Sequence, residues 1–374
     1  MKARGKIMII SIVCFCLAAA GLFCCVWTAK TGADALPQGS LLVADAPLSI
    51  SMETLQDAPA ARCFAGAALS VKTEDGQTLS ATVAAPGTLG ALGAAFASGT
   101  DFSGAPNEAV LDPGLALSLC GTQDAVGETL TLDGRAYTVC GVLKEGEGFL
   151  SRRAQGGAPA LYLSAPPSGT SAPLAVTWMY AASDTPLLES EAAAAAGAAL
   201  GQPFAGSVLG LGDGAVLLWQ VPKLSLLLAA AVPFLLLCIW VTREWARLAG
   251  PRRSVPRAAI GAAAFAGALF LLWLLLSAID LPGSLLPPDL FFDGAHYRAV
   301  FKTFAASLSG PAGRVFPWRL LAVSGKWSAV WGILGAAFCW VGSGAAFAGL
   351  LQRIRRQECM AENDSAYSKC NESV

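Results

Sequence analysis

Hydrophobic residues are concentrated in four long blocks, separated by stretches of mixed character. The blocks cover residues 7–27, 224–241, 258–278 and 327–351, and none contains Asp, Glu, Lys or Arg. A helix needs about 20 apolar residues to cross the hydrocarbon core of a bilayer. A charged side chain at the centre of that core costs about 2.5–3.5 kcal/mol on insertion scales. The pattern therefore predicts four transmembrane helices.

The segment between the first two blocks has a different pattern. Residues 77–87, 160–165 and 174–182 ("QTLSATVAAPG", "ALYLSA" and "LAVTWMYAA") are typical of strands. Residues 188–201, "LESEAAAAAGAALG", have the composition of a helix. We therefore predict an α+β membrane protein, with four transmembrane helices and a large mixed α/β extracytoplasmic domain between helices 1 and 2.

The sequence "GETLTLDGRAYTVCGVL" at residues 127–143 predicts a β-hairpin. Asp133-Gly134 is a preferred dipeptide for a two-residue type I′ turn, and this turn places Leu130 opposite Tyr137. The face of the hairpin predicted to be buried consists of Leu130, Leu132, Tyr137 and Val139. An isolated hairpin is marginally stable in water, so we expect it to belong to a larger sheet.

Lysines and arginines near the ends of the blocks indicate the orientation. They cluster before the first block, between the second and third, and after the fourth. If the four spans alternate, all three clusters fall on one side, and the positive-inside rule makes that side cytoplasmic. The first block could instead be a cleaved signal peptide. Both interpretations send the segment that follows across the membrane.

Composition and candidate chemistry exclude several classes of protein. The chain has 374 residues, of which 14% are charged, and a net charge of −1. Soluble domains carry about 25% charged residues, and a nucleic-acid binder usually has a basic surface. The only histidine, His296, lies in a segment expected to form an amphipathic helix at the outer membrane surface. No nucleophile–base pair and no metal-binding spacing is visible, so we predict no enzyme, no catalytic residue and no metal site.

Three cysteines fall in the segment expected outside: Cys63, Cys120 and Cys140. An odd number allows at most one disulfide, and whether Cys120 and Cys140 pair stays open. The stretch "AVSGKWS" at residues 322–328 is the nearest match to a phosphate-binding loop, but Trp327 stands where Ser or Thr would hold the metal ion. ATP hydrolysis would therefore need another chain.

Residues 108–145 read "EAVLDPGLALSLCGTQDAVGETLTLDGRAYTVCGVLKE". We expect an exposed "AVL" strand, a short helix and then the hairpin. This order resembles the extracytoplasmic domain of FtsX/MacB-type ABC transporter permeases. The residues that match the family's hairpin motif are Gly127, Leu130, Leu132, Gly134, Tyr137, Val139, Gly141 and Val142. The family also has the same order of elements: one span, then a large external domain, then three further spans.

The resemblance extends to the link "TREWARLAGPRRSVPRAA" at residues 242–259. The family carries a helix there that docks on the ATPase. The residues that the resemblance implies for this coupling are Arg243, Glu244, Arg247, Gly250, Arg252 and Arg253. Pro251 and Pro256 would interrupt a continuous helix. The alternative is that the arginines serve only as positive-inside anchors.

The resemblance implies the membrane (permease) subunit of an ABC transporter, which transmits the ATP-driven motion of a separate ATPase to an external domain, for export or mechanotransmission. The implied partners are an ABC ATP-binding subunit, a second permease copy or paralogue, and membrane lipid; ATP and Mg would be bound by the ATPase. The implied location is a bacterial cell membrane, with both termini cytoplasmic. The alternative is a membrane-anchored extracytoplasmic binding or sensor protein without an ATPase.

These considerations divide the chain into eight segments. They are transmembrane helix 1 (1–28), the extracytoplasmic MacB-like domain (29–222), transmembrane helix 2 (223–242), the cytoplasmic coupling link (243–257), transmembrane helix 3 (258–278), an extracellular loop with an interfacial helix (279–326), transmembrane helix 4 (327–351) and a cytoplasmic tail (352–374).

Overall fold

The computed structural model describes residues 2–37, 39–51, 53–54, 63–145, 148–155, 160–169, 173–182, 189–248 and 316–371, with scattered single positions between 266 and 302. The predicted third span as a continuous segment, His296, and the coupling residues Gly250, Arg252 and Arg253 lie outside the described residues. The chain divides into two compact units. The helical unit comprises Met1–Ala29, Trp219–Asp280 and Lys326–Val374, and the sheet unit comprises Lys30–Leu218 and Leu281–Gly325.

The sheet unit is built on one mixed ten-stranded sheet. Its strands are β1 (Gly39–Ile50), β2 (Cys63–Lys72), β3 (Thr78–Ala84), β4 (Phe96–Gly99), β5 (Glu108–Leu111), β6 (Thr129–Leu132), β7 (Arg135–Leu143), β8 (Leu161–Leu163), β9 (Leu174–Ala182) and β10 (Gly206–Gly210). Their order is β10-β1-β9-β2-β3-β8-β5-β7-β4, and β6 pairs with β7. The pairs β3–β8 and β5–β7 are parallel, and the other pairs are antiparallel.

The described helices fall into two classes by length. The short ones are α2 (Thr88–Ala91), α3 (Pro113–Cys120), α4 (Gly148–Gln155) and α5 (Glu189–Leu200). The long ones are α1 (Lys2–Asp34), α6 (Leu211–Leu248) and α7 (Phe316–Asn371). Asp112 caps α3, because its Oδ1 accepts a hydrogen bond of 2.8 Å from the Leu115 amide.

Buried side chains lie on both faces of the sheet. Successive side chains of a strand point to opposite faces, and both sets of β9 are packed in clusters. Met179 and Ala181 of β9 pack in one large cluster with Ala192, Ala196 and Leu200 of α5. Trp178 and Tyr180 alternate with them and pack in a second cluster. A smaller third cluster includes Leu89 of α2, Phe102 and Val110. The mixed α/β domain predicted from the sequence is therefore present.

The expectation of an exposed "AVL" strand is wrong. This strand is β5, and Ala109, Val110 and Leu111 are all fully buried. The reason is its place in the sheet, where β5 lies between β8 and β7. Val110 packs on one face, and Ala109 and Leu111 pack on the other.

Three helices within the described part of the chain are long and apolar enough to cross a membrane, by length and composition: Gly5–Asp34, Leu211–Val241 and Phe316–Gln357. They contain the first, second and fourth predicted spans. The second helix begins at Leu211 and includes Pro222 and Pro233. The last begins at Phe316, so part of the predicted 279–326 loop is helical.

Helices α1 and α7 pack antiparallel in the helical unit. The Ser11 hydroxyl donates a hydrogen bond of 3.1 Å to the Gly342 carbonyl, and the hydroxyl oxygens of Thr28 and Ser328 lie 2.9 Å apart. Between these contacts, a Cβ atom on Gly21 would lie 2.9 Å from the Gly335 Cα. Small residues let helix backbones approach closely in a membrane.

Helix α6 joins α1 and α7 through polar contacts. The Cys25 thiol of α1 donates to the Ser225 hydroxyl at 3.8 Å. The Trp340 indole N–H of α7 donates a 2.7 Å hydrogen bond to the Leu228 carbonyl. Because α6 runs in the same direction as α7 through these contacts, Arg243 near its end lies at the same end of the helical unit as Lys6 and Arg353.

Candidate functional site

The carboxylates of Glu108, which is buried, and Asp112, which is half-buried, accept hydrogen bonds from the protein's own donors. Glu108 accepts hydrogen bonds from the Ser103 amide (2.8 Å) and the Ser103 hydroxyl (2.6 Å). The second oxygen of Asp112 accepts from the Ala160 amide. Within the described residues, no three His, Cys, Asp or Glu side chains come together to hold a metal ion. These carboxylates therefore position loops.

Cys120 and Cys140 are both free thiols. Burial, with a smaller contribution from the Glu108 carboxylate, raises the pKa of the Cys140 thiol to about 12. Burial also raises the pKa of Cys120. The thiolate is the nucleophilic form of cysteine, so neither side chain has the character of a reactive thiol.

Six buried side chains of the sheet unit form a cluster that we call the aromatic junction. Its members are Leu41, Leu92, Trp178, Tyr180, Leu211 and Trp318. Leu211 is the first residue of α6, and Trp318 is the third residue of α7. Two of the long apolar helices thus begin inside the hydrophobic core of the sheet unit.

The register of the sheet places the aromatic side chains of the junction. Leu41 of β1 lies opposite Tyr180 of β9, and Gly66 of β2 lies opposite Trp178. A Cβ atom on Gly66 would lie 2.6 Å from Cε2 of Trp178, so the indole ring occupies the space over the glycine. Burial raises the pKa of Tyr180 to about 12.

The ends of the three long helices pack tightly within the sheet unit. A Cβ atom on Gly32 of α1 would overlap the Ser324 side chain of α7 and would lie 3.3 Å from Cδ1 of Leu218 of α6. A Cβ atom on Gly214 would lie 3.0 Å from Cδ2 of Leu321. These glycines lie close against side chains of the neighbouring helices, so the helix ends form a compact three-helix contact.

The predicted hairpin is present, with the register that its Asp-Gly turn favours. Leu130 pairs with Tyr137, and Asp133 and Gly134 have positive φ angles of 48° and 77°. Of the four predicted core residues, Leu132, Tyr137 and Val139 are buried in the large cluster, and Leu130 is partly buried against it.

Hydrogen bonds fix the hairpin at two places. The Asp133 amide donates to the Lys72 carbonyl at 2.8 Å, and the Lys72 amide donates to Asp133 Oδ1 at 3.1 Å. The Tyr137 hydroxyl donates to the Ala165 carbonyl, and Arg135 Nη1 donates to the Pro166 carbonyl, each at 2.9 Å. The turn is therefore tied to β2, and the side of the hairpin to the loop after β8.

The predicted coupling residues are only partly described. Arg243, Glu244 and Arg247 lie in α6, which stays helical to Leu248, and Arg243 is exposed. Their contact with an ATPase, like that of Gly250, Arg252 and Arg253, stays a prediction.

Sequence reasoning missed the aromatic junction. Trp318 was included in a predicted loop, although "VFPWRLL" at residues 315–321 is apolar enough to indicate a buried helix start. The partners of Trp318 come from distant strands, and no local pattern joins them.

Residues 31–213 match the family model described as the MacB-like periplasmic core domain. The chain carries a MacB-like periplasmic core domain. The resemblance to MacB/FtsX-type ABC transporter permeases is thereby confirmed. Together with the apolar helices, the MacB-like domain supports a membrane protein of the ABC permease type, a transporter component.

Solved structures similar to this chain include the periplasmic region of MacB from Actinobacillus actinomycetemcomitans. It is 10% identical, covers 47% of this chain and 91% of its own, and has a TM-score of 0.35. The extracellular domain of the noncanonic ABC-type transporter YknZ from Gram-positive bacteria is 16% identical, covers 46% and 99%, and has a TM-score of 0.33. A search of curated proteins found no match.

Proposed function

We propose that the chain is the membrane subunit of a MacB/FtsX-type ABC transporter and passes the ATP-driven motion of a separate ATPase to the MacB-like domain. In this proposal the ATPase binds ATP and Mg, and two permease copies or paralogues work together. Both termini and the link after α6 lie in the cytoplasm, and the MacB-like domain lies outside.

The aromatic junction is the observation that supports this proposal. Trp318 and Leu211 are buried among side chains of β1 and β9. Protein cores are close-packed and have low compressibility. A displacement of the start of α6 or α7 would therefore be passed to β1 and β9 instead of being absorbed by loose contacts.

The hairpin contributes stiffness to the same domain. Its turn is hydrogen-bonded to β2, and the Tyr137 hydroxyl is hydrogen-bonded to the Ala165 carbonyl after β8. A motion received at β9 would pass through β2 and β3 to β8 by backbone pairing. The domain would then move as one body.

The experiment pairs Trp318→Ala with Trp219→Ala, which removes an indole that is 37% exposed. The chain is purified together with a candidate ABC ATPase from the same cell. Spin labels are attached to cysteines at Gln123 and Arg355 in a cysteine-depleted background. We expect ATP to change the label distance in the unsubstituted chain and in Trp219→Ala. In Trp318→Ala, ATP hydrolysis should persist and the distance change should shrink.

Two results would contradict the proposal. A full distance change in Trp318→Ala would show that motion does not pass through the junction. If no ATPase co-purifies and ATP has no effect, the anchored sensor is the better interpretation. Orientation is tested separately in intact cells with an impermeant maleimide. If the MacB-like domain lies outside, a cysteine at the exposed Gln123 should react.

A further inference from the structure

Cations from distant parts of the sequence meet at one end of the helical unit. A Cβ atom on Gly349 of α7 would lie 3.2 Å from Cγ2 of Ile7 of α1. Lys6 precedes Ile7 directly, and Arg353 follows Gly349 by four residues. Since α1 and α7 are antiparallel, Lys6 lies level with residue 350 of α7, and Arg353 lies three residues, about 4.5 Å along the axis, further towards the end of α7. Helical side chains lean towards the N-terminus of their helix, so the side chains of Lys6 and Arg353 lean towards each other's level.

The helical repeat places a third cation on the same side. Positions 335, 342 and 349 of α7 face α1 and are seven residues, or about two turns, apart. Arg356 is the next position of this series. Lys6, Arg353 and Arg356 are all exposed, and we call these three residues the cationic notch.

The charges of the notch are not balanced by described neighbours. Among the side chains that the structure describes, no carboxylate forms an ion pair with Lys6, Arg353 or Arg356. Arg355 is left out of the notch, because Glu358 lies three residues further along the same helix and such pairs attract. Like charges brought together by two helices repel each other, and a bound anion would relieve that repulsion.

The surface next to the notch is apolar. Ile9 and Ile10 of α1 are 59% and 50% exposed, and Val341 of α7 is 57% exposed. Within about one helical turn, the surface of α1 changes from large exposed isoleucines to an exposed lysine. A phospholipid shows the same change over a similar length, from apolar acyl chains to a charged headgroup. An acidic protein surface would match the cations without matching this apolar surface.

We propose that the cationic notch binds the phosphate headgroup of an anionic phospholipid, whose acyl chains lie along the exposed isoleucines. Arginine suits this task, because its guanidinium group donates two parallel hydrogen bonds to phosphate oxygens. Ordinary positive-inside anchors set the orientation of the helices and attract anionic lipid only as single charges near the membrane surface. The proposal differs from that role because it requires the three cations of the notch to hold one phosphate headgroup together, with two hydrogen bonds from an arginine.

The test uses the full chain in detergent, with phosphatidylglycerol and phosphatidylcholine of equal acyl length added in turn. Binding is measured by native mass spectrometry. The variant Lys6→Gln/Arg353→Gln/Arg356→Gln is compared with Lys72→Gln/Arg152→Gln/Arg153→Gln, which removes three exposed cations from the sheet unit. A charge-keeping variant, Lys6→Arg/Arg353→Lys/Arg356→Lys, shows whether charge alone restores binding if the first variant folds poorly.

We expect tighter binding of phosphatidylglycerol than of phosphatidylcholine. Each cation removed from the notch should weaken phosphatidylglycerol binding about fivefold, or roughly 100-fold for all three. The sheet-unit control should bind normally, and the charge-keeping variant should lose less affinity than the glutamine variant, because lysine keeps the charge without the two parallel hydrogen bonds. Equal binding of both lipids, or normal binding by the notch variant, would overturn the proposal.

Two further outcomes would also overturn it. Glycerol phosphate that competes as well as the lipid would indicate a site for a free phosphate compound. Loss of ATPase binding without loss of lipid selectivity would indicate a protein contact.

Discussion

Gly66 of β2 lies directly opposite Trp178 of β9, and the Trp178 ring fills the space that a side chain on Gly66 would need. The indole therefore lies over the backbone of β2, and it belongs to the same buried cluster, the aromatic junction, as Trp318 of α7. The absence of a side chain at Gly66 thus makes room for one of the two indole rings of the aromatic junction.

Gly66→Ala should move the Trp178 ring and destabilise the MacB-like domain. The added methyl group would lie closer to the ring than atoms pack, and such overpacking typically costs about 1–3 kcal/mol. The free energy of unfolding is measured by urea denaturation in detergent. Gly212→Ala is the control, because nothing lies within 4 Å of its Cβ position. Equal stability of the two variants would contradict the packing argument.

Tyr137→Ala should be more damaging, because the ring is fully buried in the large cluster. Truncation of a buried aromatic side chain costs about 3–5 kcal/mol. The same denaturation measurement applies. Thr138→Ala is the neighbouring control, since Thr138 is exposed, and its effect should be small. A Tyr137→Ala chain as stable as this control would show that the hairpin does not pack on the sheet.

Tyr137 should also make stability depend on alkaline pH. Burial raises its pKa to about 12, from about 10 for an unfolded chain. Between these values the unfolded state loses the phenol proton while the folded state keeps it, so stability is full below pH 10 and falls as pH rises to 12. In Tyr137→Phe, the decline in melting temperature over this range should be shallower. Tyr180 has a similar pKa, so part of the decline should remain. An unchanged pH profile would contradict the burial of the phenol.

The hairpin could be predicted from the sequence because its determinants are local. Asp133 and Gly134 specify the turn, and alternation along the two strands then decides which side chains share a face. The burial of Leu132 and Tyr137 follows once the strands are paired. The helix at 189–200 could also be predicted from local sequence, since its composition favours a helix.

The burial of β5 and the aromatic junction could not be predicted in this way. "AVL" is short enough for an edge or a centre strand, and only its neighbours β7 and β8 decide between them. Trp318 and Trp178 lie in the same buried cluster although they are 140 positions apart in the sequence. A single sequence contains no signal for a contact of that separation, although the apolar run around Trp318 indicates that some burial is needed.

The close contact of α1 and α7 should depend on Gly335. A Cβ atom there would lie 2.9 Å from the Leu22 amide nitrogen, and a backbone atom cannot move aside as a side chain can. Gly335→Ile should therefore separate the helices. Cysteines at Thr28 and Ser328, whose hydroxyl oxygens lie 2.9 Å apart, report this by the yield of oxidative crosslink. Gly344→Ile is the matched control in the same helix, because the space at Gly344 is open. Equal crosslink yields in the two variants would contradict the prediction.

The arginines near the end of α6 allow a test that separates docking from membrane anchoring. Arg243 and Arg247 satisfy the positive-inside rule, and with Glu244 they also follow the pattern of the coupling helix that the resemblance implies. Arg247→Lys should leave insertion and orientation unchanged, because lysine serves the topology rule as well as arginine does.

The same change should weaken the ATPase contact if Arg247 binds a carboxylate through two hydrogen bonds, which lysine cannot reproduce. Glu244→Gln tests the opposite charge, and we expect it to weaken the contact as well. Arg355→Lys is the control, since Arg355 lies in α7 and outside the predicted coupling link at 243–257. Insertion is checked by maleimide labelling at Gln123, and ATPase binding is measured by pull-down over a range of ATPase concentrations. If Arg247→Lys and Glu244→Gln both insert normally and retain the ATPase with unchanged affinity, these side chains are topological anchors only, and the docking contact lies elsewhere in the link.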